Sequence, residues 1–109
     1  MRESEFQRQV IDLARLCGWR VAHFRAVRVQ RANGSVHYCT PVQADGAGWP
    51  DLVLCRPPRQ IAAELKVGRN TLAAEQREWL DILAGCRAET YVWRPEDWDE
   101  IERVLRREP

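Results

Sequence analysis

Three residues of this 109-residue chain have the types and spacing that phosphate-ester chemistry needs: Asp51, Glu64 and Lys66. Asp51 follows Gly48, Trp49 and Pro50 at the mouth of a short apolar stretch, and Glu64-Leu65-Lys66 sits in the next such stretch. Two adjacent strands would bring these side chains together. Strand alternation sends Glu64 and Lys66 to one face and Leu65 to the other. An acid and a base in the middle of an apolar strand are costly to bury, and they become sensible if Glu64 and Asp51 jointly hold a hard divalent cation. Mg2+ suits two carboxylates because it keeps several waters and takes further ligands from phosphate. Lys66 would then orient or activate the attacking water and offset charge building on phosphorus. Each fragment alone is weak, since Pro-Asp is commonly a turn and Glu-x-Lys an exposed ion pair; the signal is in the combination.

Lys66 is also the single lysine beside sixteen arginines. Arginine stays protonated and spreads its charge over a planar fork, whereas lysine offers a compact ammonium that burial can tune. A lysine kept at this one position points to chemistry that arginine does not imitate. Two further polar residues fall where helical periodicity asks for apolar ones. Gln76 stands four after Leu72 and three and four before Trp79 and Leu80, and Glu3 stands three before Phe6 and seven before Val10, with Glu5 turned away. Both would point from a helix toward the sheet carrying Asp51, Glu64 and Lys66. His23 ends a strand near a basic loop, which fits either a structural role or a phosphate contact. Trp49 reads as packing rather than base stacking.

The elements that must position these residues follow from periodicity. Phe6, Val10, Leu13 and Cys17 recur at helical spacing over 3–17, and Gly18 stops the helix. A strand is expected over 19–24. Asn33-Gly34 between Val27, Val29 and Val36, Tyr38 signals a hairpin. A two-residue turn there pairs residues summing to 67, with Val27, Val29, Val36 and Tyr38 on one face and Arg28, Gln30, His37 and Cys39 on the other. Strands over 51–55 and 60–67 flank a turn at Pro57-Pro58. A helix capped by Asn70 or Thr71 then carries Leu72, Trp79, Leu80 and Leu83, and a strand over 89–93 leads to a last helix with Trp98, Ile101 and Leu105 on one side. This order predicts one α/β domain over 1–109, a mixed sheet flanked by helices.

Composition limits the function classes. The length fits one domain, 45% hydrophobic and 30% charged residues describe a globule, and no apolar run is long enough to span a membrane. The polar N-terminus and four scattered cysteines without a C-x-x-C pair predict reduced thiols, no zinc site and a cytoplasmic location. The net charge of +1 hides an asymmetry: residues 1–59 carry nine arginines against five acids, and residues 60–109 eight bases against eleven acids. Four arginines and no acid lie between Arg20 and Ala44, a basic face suited to a polyanion. Arg25, Arg28 and Arg31 are the candidate phosphate contacts there, with Gly48 a further candidate DNA contact.

Taken together, Glu3, GWPD at 48–51, ELK at 64–66 and Gln76 resemble the VRR-NUC branch of the PD-(D/E)xK nuclease superfamily, in its small stand-alone form. The likeness extends over nearly the whole chain, including GWRVAHF at 18–24 and YVWRP at 91–95. It implies a restriction-endonuclease-like fold, a Mg2+ or Mn2+ site at Asp51 and Glu64 with the Leu65 carbonyl, a catalytic Lys66, and supporting catalytic or metal roles for Glu3 and Gln76. It further implies a homodimer acting on branched DNA such as Holliday junctions. Ala73 replaces the usual cap residue before the Gln76 helix. The alternatives are a non-specific DNA nickase, a catalytically weak DNA-binding module on the same fold, and an interaction module using the tryptophan-rich C-terminal half. The pairing surface of a dimer would lie on the Asn33-Gly34 hairpin or near Trp19 and Trp49.

Overall fold

The computed structural model describes residues 1–24, 27–39 and 42–109, without the side chains of 27–29, 38 and 39. Helix α1 (Glu3–Leu16) is followed by β1 (Arg20–His23), the pair β2 (Val27–Gln30) and β3 (Val36–Cys39), then β4 (Leu52–Arg56) and β5 (Arg59–Leu65). Helix α2 (Ala74–Gly85), β6 (Glu89–Trp93), a 3-10 turn at Pro95–Asp97 and helix α3 (Trp98–Arg106) complete the described elements. Four strands form one sheet in the order β1-β4-β5-β6, and β2-β3 form a separate two-stranded ribbon. β4 runs antiparallel to β1 and to β5, while β6 is parallel to β5, as its crossover through α2 requires. The fold is therefore a mixed α/β arrangement, a four-stranded mixed sheet flanked by helices.

The periodicity of β5 decides which helix covers which face. Ile61, Ala63 and Leu65 are buried with Leu52 and Leu54 of β4, Trp93 of β6, Phe6, Val10 and Ala14 of α1 and Ile101, Val104 and Leu105 of α3. The alternate residues Ala62 and Glu64 are also buried, so β5 is covered on both sides, as an inner strand must be. Pro57-Pro58 sit in the two-residue connection between β4 and β5, where no ladder N–H is missed.

Trp19, 3% exposed, belongs to this core. Its indole N–H donates to the Leu105 carbonyl at 2.9 Å, and the Arg56 and Arg59 guanidinium groups lie 4.7 and 4.8 Å from its ring. Both arginines then close the C-terminal end of α3. Arg56 donates to the carbonyls of Cys17, Leu105 and Arg107, and Arg59 to those of Val104 and Arg107. Arg59 also makes a two-pronged pair with Glu89 at 2.7 and 2.8 Å. Trp19 is thus unavailable as a pairing surface. Trp93 is equally internal, 1% exposed and stacked on Tyr91 at 5.0 Å, which removes part of the aromatic surface that an interaction module would use.

Two expectations are corrected. The ribbon pairs Val29 with His37 and Gln30 with Val36, so partners sum to 66, one residue away from the two-residue turn, and the two faces expected from 67 do not hold. The Arg31 N–H bonds the Ser35 carbonyl at 2.8 Å, which leaves a three-residue loop. Asn33 Oδ1 accepts from the Ser35 N–H and hydroxyl, and Gly34 takes φ +87° behind the turn; the side-chain bond holds Asn33 before the left-handed position instead of in it. The second correction is the start of α2, where neither Asn70 nor Thr71 caps and Ala73 is the cap residue. Gln76 Oε1 reaches back to the Ala73 N–H at 2.8 Å, so half of a capping box does the capping.

Candidate active site

The loop that delivers Asp51 is fixed before Asp51 is reached. Gly48 has φ +86°, and a Cβ built there would lie 2.5 Å from the Glu75 carbonyl carbon, so the loop's approach to the first turn of α2 depends on the missing side chain. Trp49 packs edge-on against Phe24 (5.8 Å) and Trp79 (4.9 Å), and the Trp79 indole N–H donates to the Asp45 carbonyl. Pro50 is fully buried. This trio ties β1, the loop and α2 together, and it shows Trp49 to be a packing residue. The Phe24 N–H bonds the Asp51 carbonyl at 2.8 Å, carrying the β1-β4 ladder one step further and fixing the Asp51 backbone.

Asp51 Oδ2 accepts the Leu65 N–H at 2.8 Å, a bond between the mouth of β4 and the end of β5. Leu65 thus has a role that spacing did not announce, while its side chain is buried on the opposite face. Glu64 is 1% exposed. Its Oε1 accepts from the Gln76 Nε2–H at 3.1 Å, and the oxygen of that amide accepts from the Ala73 N–H. Glu64 Oε2 is buried and, among the described residues, has no hydrogen-bond partner. Lys66 follows on the same face, half-buried, with its N–H on the Trp93 carbonyl.

The charges couple these groups. Burial, then the charge and closeness of Asp51, push the Glu64 carboxyl up to about 9; Lys66 opposes the shift and Glu3 adds to it. Glu3, half-buried at the start of α1, is raised by burial and by Asp51 and lowered by Lys66. Glu5 is exposed, as its helical phase requires. So Glu3, Asp51, Glu64, Lys66 and Gln76 are brought to one place. Among the described residues no three His, Cys, Asp or Glu side chains are grouped to hold a metal.

An open cleft of about 880 Å3 leads from Glu3, Asp51 and His23 along α1. Of the arginines expected at phosphates, Arg25 lies outside the described residues, as does the Arg28 side chain. Arg31 is exposed and donates to His37 Nδ1 at 3.1 Å. Among the described residues no helix is long and apolar enough to cross a membrane, and Cys17, Cys55 and Cys86 are free thiols.

No family model and no curated protein matches the chain. A solved structure does. It is that of Hjc, a Holliday junction resolvase from the archaeal hyperthermophile Archaeoglobus fulgidus, at 25% identity and a TM-score of 0.48 over 84% of this chain and 67% of that one.

Whether Asp51 and Glu64 fit a divalent cation is answered by their own environment. The buried Glu64 carboxyl lies beside Asp51, whose charge raises it, and among the described residues its Oε2 faces no donor. A hard cation satisfies that oxygen and removes the repulsion at once, and Mg2+ or Mn2+ needs only one or two protein carboxylates. Gln76 and the Leu65 N–H each hold one oxygen of a carboxylate, as supporting groups of a metal site do. The residues fit the ion.

Proposed function

We propose that the protein is a Mg2+- or Mn2+-dependent endodeoxyribonuclease that hydrolyses phosphodiester bonds, of the VRR-NUC type that its motifs resemble. The observation that carries this reading is the buried, unpartnered Oε2 of Glu64, set beside Asp51 with Lys66 on the same strand face. Asp51 and Glu64 would hold the cation, with the Leu65 carbonyl as the further ligand that the resemblance implies. When bound, the ion polarises the scissile phosphate and makes a water more acidic. The chain's own residues do the rest. Gln76 keeps the Glu64 carboxylate from rotating, and the Leu65 N–H does the same for Asp51. The Lys66 ammonium donates to the attacking water or to a non-bridging oxygen, so its charge lies where negative charge develops as the water oxygen bonds to phosphorus and the ester oxygen departs. Glu3 biases the proton balance of the carboxylate pair through its charge.

One chain has one Asp51-Glu64 pair and so cuts one strand. We infer a homodimer, whose two-fold axis supplies the paired cuts that resolution of a four-way junction needs. The test is incubation of the purified protein with labelled four-way junction, flap and linear duplex in Mg2+, Mn2+ and EDTA, with its mass in solution measured in parallel. Paired nicks in the junction, dependent on the ion, are expected. Equal cleavage of all three substrates by a monomer would replace the resolvase with a simple nickase, and no cleavage with either ion would sink the enzyme.

A further inference from the structure

The arginines divide sharply by what they touch. Arg56, Arg59 and Arg94 hold backbone carbonyls, and Arg106 and Arg107 pair with Glu102 and Glu89. Arg8 and Arg15 on α1 do none of this: both are exposed, and among the described residues neither makes an ion pair. Both line the cleft that starts at Asp51. With Ser4 and Ile11 they stand at i, i+4, i+7 and i+11, one straight stripe turned about 120° from the buried face of Phe6, Val10 and Ala14. Arg8 and Arg15 are seven residues apart, about 10 Å along the helix. A DNA strand carries one phosphate per nucleotide, so this interval suits phosphates of nearby nucleotides on one strand. Half-buried Ile11 and Val21 floor the cleft between them, an apolar surface against which sugar carbons can lie.

Building on the nuclease reading, we propose that this stripe is the phosphate track of the site: Arg8 and Arg15 bind phosphates of the strand whose neighbouring diester lies at Asp51 and Glu64. Asp12, exposed on the edge of the same stripe, opposes the strand and limits its affinity. The track ties strand position to the helix that carries Glu3.

Binding of labelled duplex in EDTA, where the DNA stays intact, is measured against KCl concentration for wild type, Arg8→Ala, Arg15→Ala, the double variant, Asp12→Asn and an exposed control, Arg103→Ala. Each cleft arginine should lower the slope of log K against log salt by about 1, and the double variant by about 2. Asp12→Asn should tighten binding and Arg103→Ala should change neither quantity. Single-turnover cleavage by the control Arg103→Ala should stay within about twofold of wild type. A double-variant slope equal to wild type, or weaker binding by Asp12→Asn, overturns the track whatever the cleavage shows. If the slopes behave as expected while wild type cuts nothing in Mg2+ or Mn2+, the track stands and the nuclease reading falls.

Discussion

Replacement of Gly48 by alanine tests whether the loop carrying Asp51 is registered against the helix carrying Gln76. The added Cβ would meet three Glu75 atoms at 2.5–2.6 Å, two of them backbone, with φ at +86°. The left-handed conformation alone costs a non-glycine residue about 1 kcal/mol. Overpacking against backbone that cannot rotate away adds about 1–3 kcal/mol, so the whole is about 2–4 kcal/mol. For a domain of this size that corresponds to a fall in Tm of roughly 10–20 °C. Gly68→Ala isolates the steric part, because Gly68 also has a positive φ, +59°, yet nothing lies within 4 Å of its Cβ position. Urea unfolding of both variants should therefore differ by about 1–3 kcal/mol. In the cleavage assay Gly48→Ala should also lose rate beyond its loss of folded protein, since any yielding of the loop moves Asp51 away from Glu64. A Gly48→Ala protein as stable as Gly68→Ala would refute the close approach, and with it this account of how Asp51 and Gln76 are held in register.

The remaining expectations concern charge. Asp51→Asn and Lys66→Arg should each reduce single-turnover cleavage by at least about 100-fold with the fold intact by circular dichroism, the first by removing a ligand and the second because a planar guanidinium does not replace a compact ammonium; wild-type rates would remove either residue from the site. Gln76→Ala leaves Glu64 Oε1 without its donor and should cost about 1–3 kcal/mol as well as activity, measured by urea unfolding and cleavage together; Glu5→Gln should change neither. Without divalent ions, Glu64 has a folded pKa near 9 against 4.5, so its contribution to stability is present below pH 4.5 and is lost as pH rises toward 9, at a slope of at most about 1.4 kcal/mol per pH unit. Glu64→Gln should abolish that slope and the rise in Tm that Mg2+ gives wild type, and a persistent Mg2+ shift would show that the ion binds elsewhere. Glu89 has the opposite sign, lowered first by its bond to Arg59 and then by Tyr91, so its stabilisation holds above pH 4.5 and is lost as pH falls through its folded value; thermal scans of Glu89→Gln should lie furthest below wild type at neutral pH and approach it in acid.

What was legible in the chain, and what was not, divides along local and non-local physics. The phase of α1 could be read because Phe6, Val10, Leu13 and Cys17 recur over several turns, and that phase alone placed Glu3 on the site side and Glu5 in solvent. Alternation in β5 likewise put Glu64 and Lys66 on one face and Leu65 on the other. The same alternation held a signal left unread: Arg59 shares parity with Ile61, Ala63 and Leu65, so it had to face the core, and it arrives there as the clamp on α3. The turn of the β2-β3 ribbon was misjudged because a dipeptide signal says nothing of where the Asn33 side chain places its own hydrogen bonds, and one bond to Ser35 moved the register by a residue. The Asp51 bond to the Leu65 N–H and the fit of Gly48 against Glu75 were hidden for a further reason. Each depends on the distance between a loop and an element twelve or more residues away, and no periodicity encodes such a distance. Residue types could thus nominate the carboxylates and the lysine, but only packing reveals that Glu64 keeps one oxygen without a donor. On the proposed reading a cation would satisfy that oxygen and offset an unfavourable burial, whereas a protein that merely bound DNA would be more stable with an apolar residue at position 64.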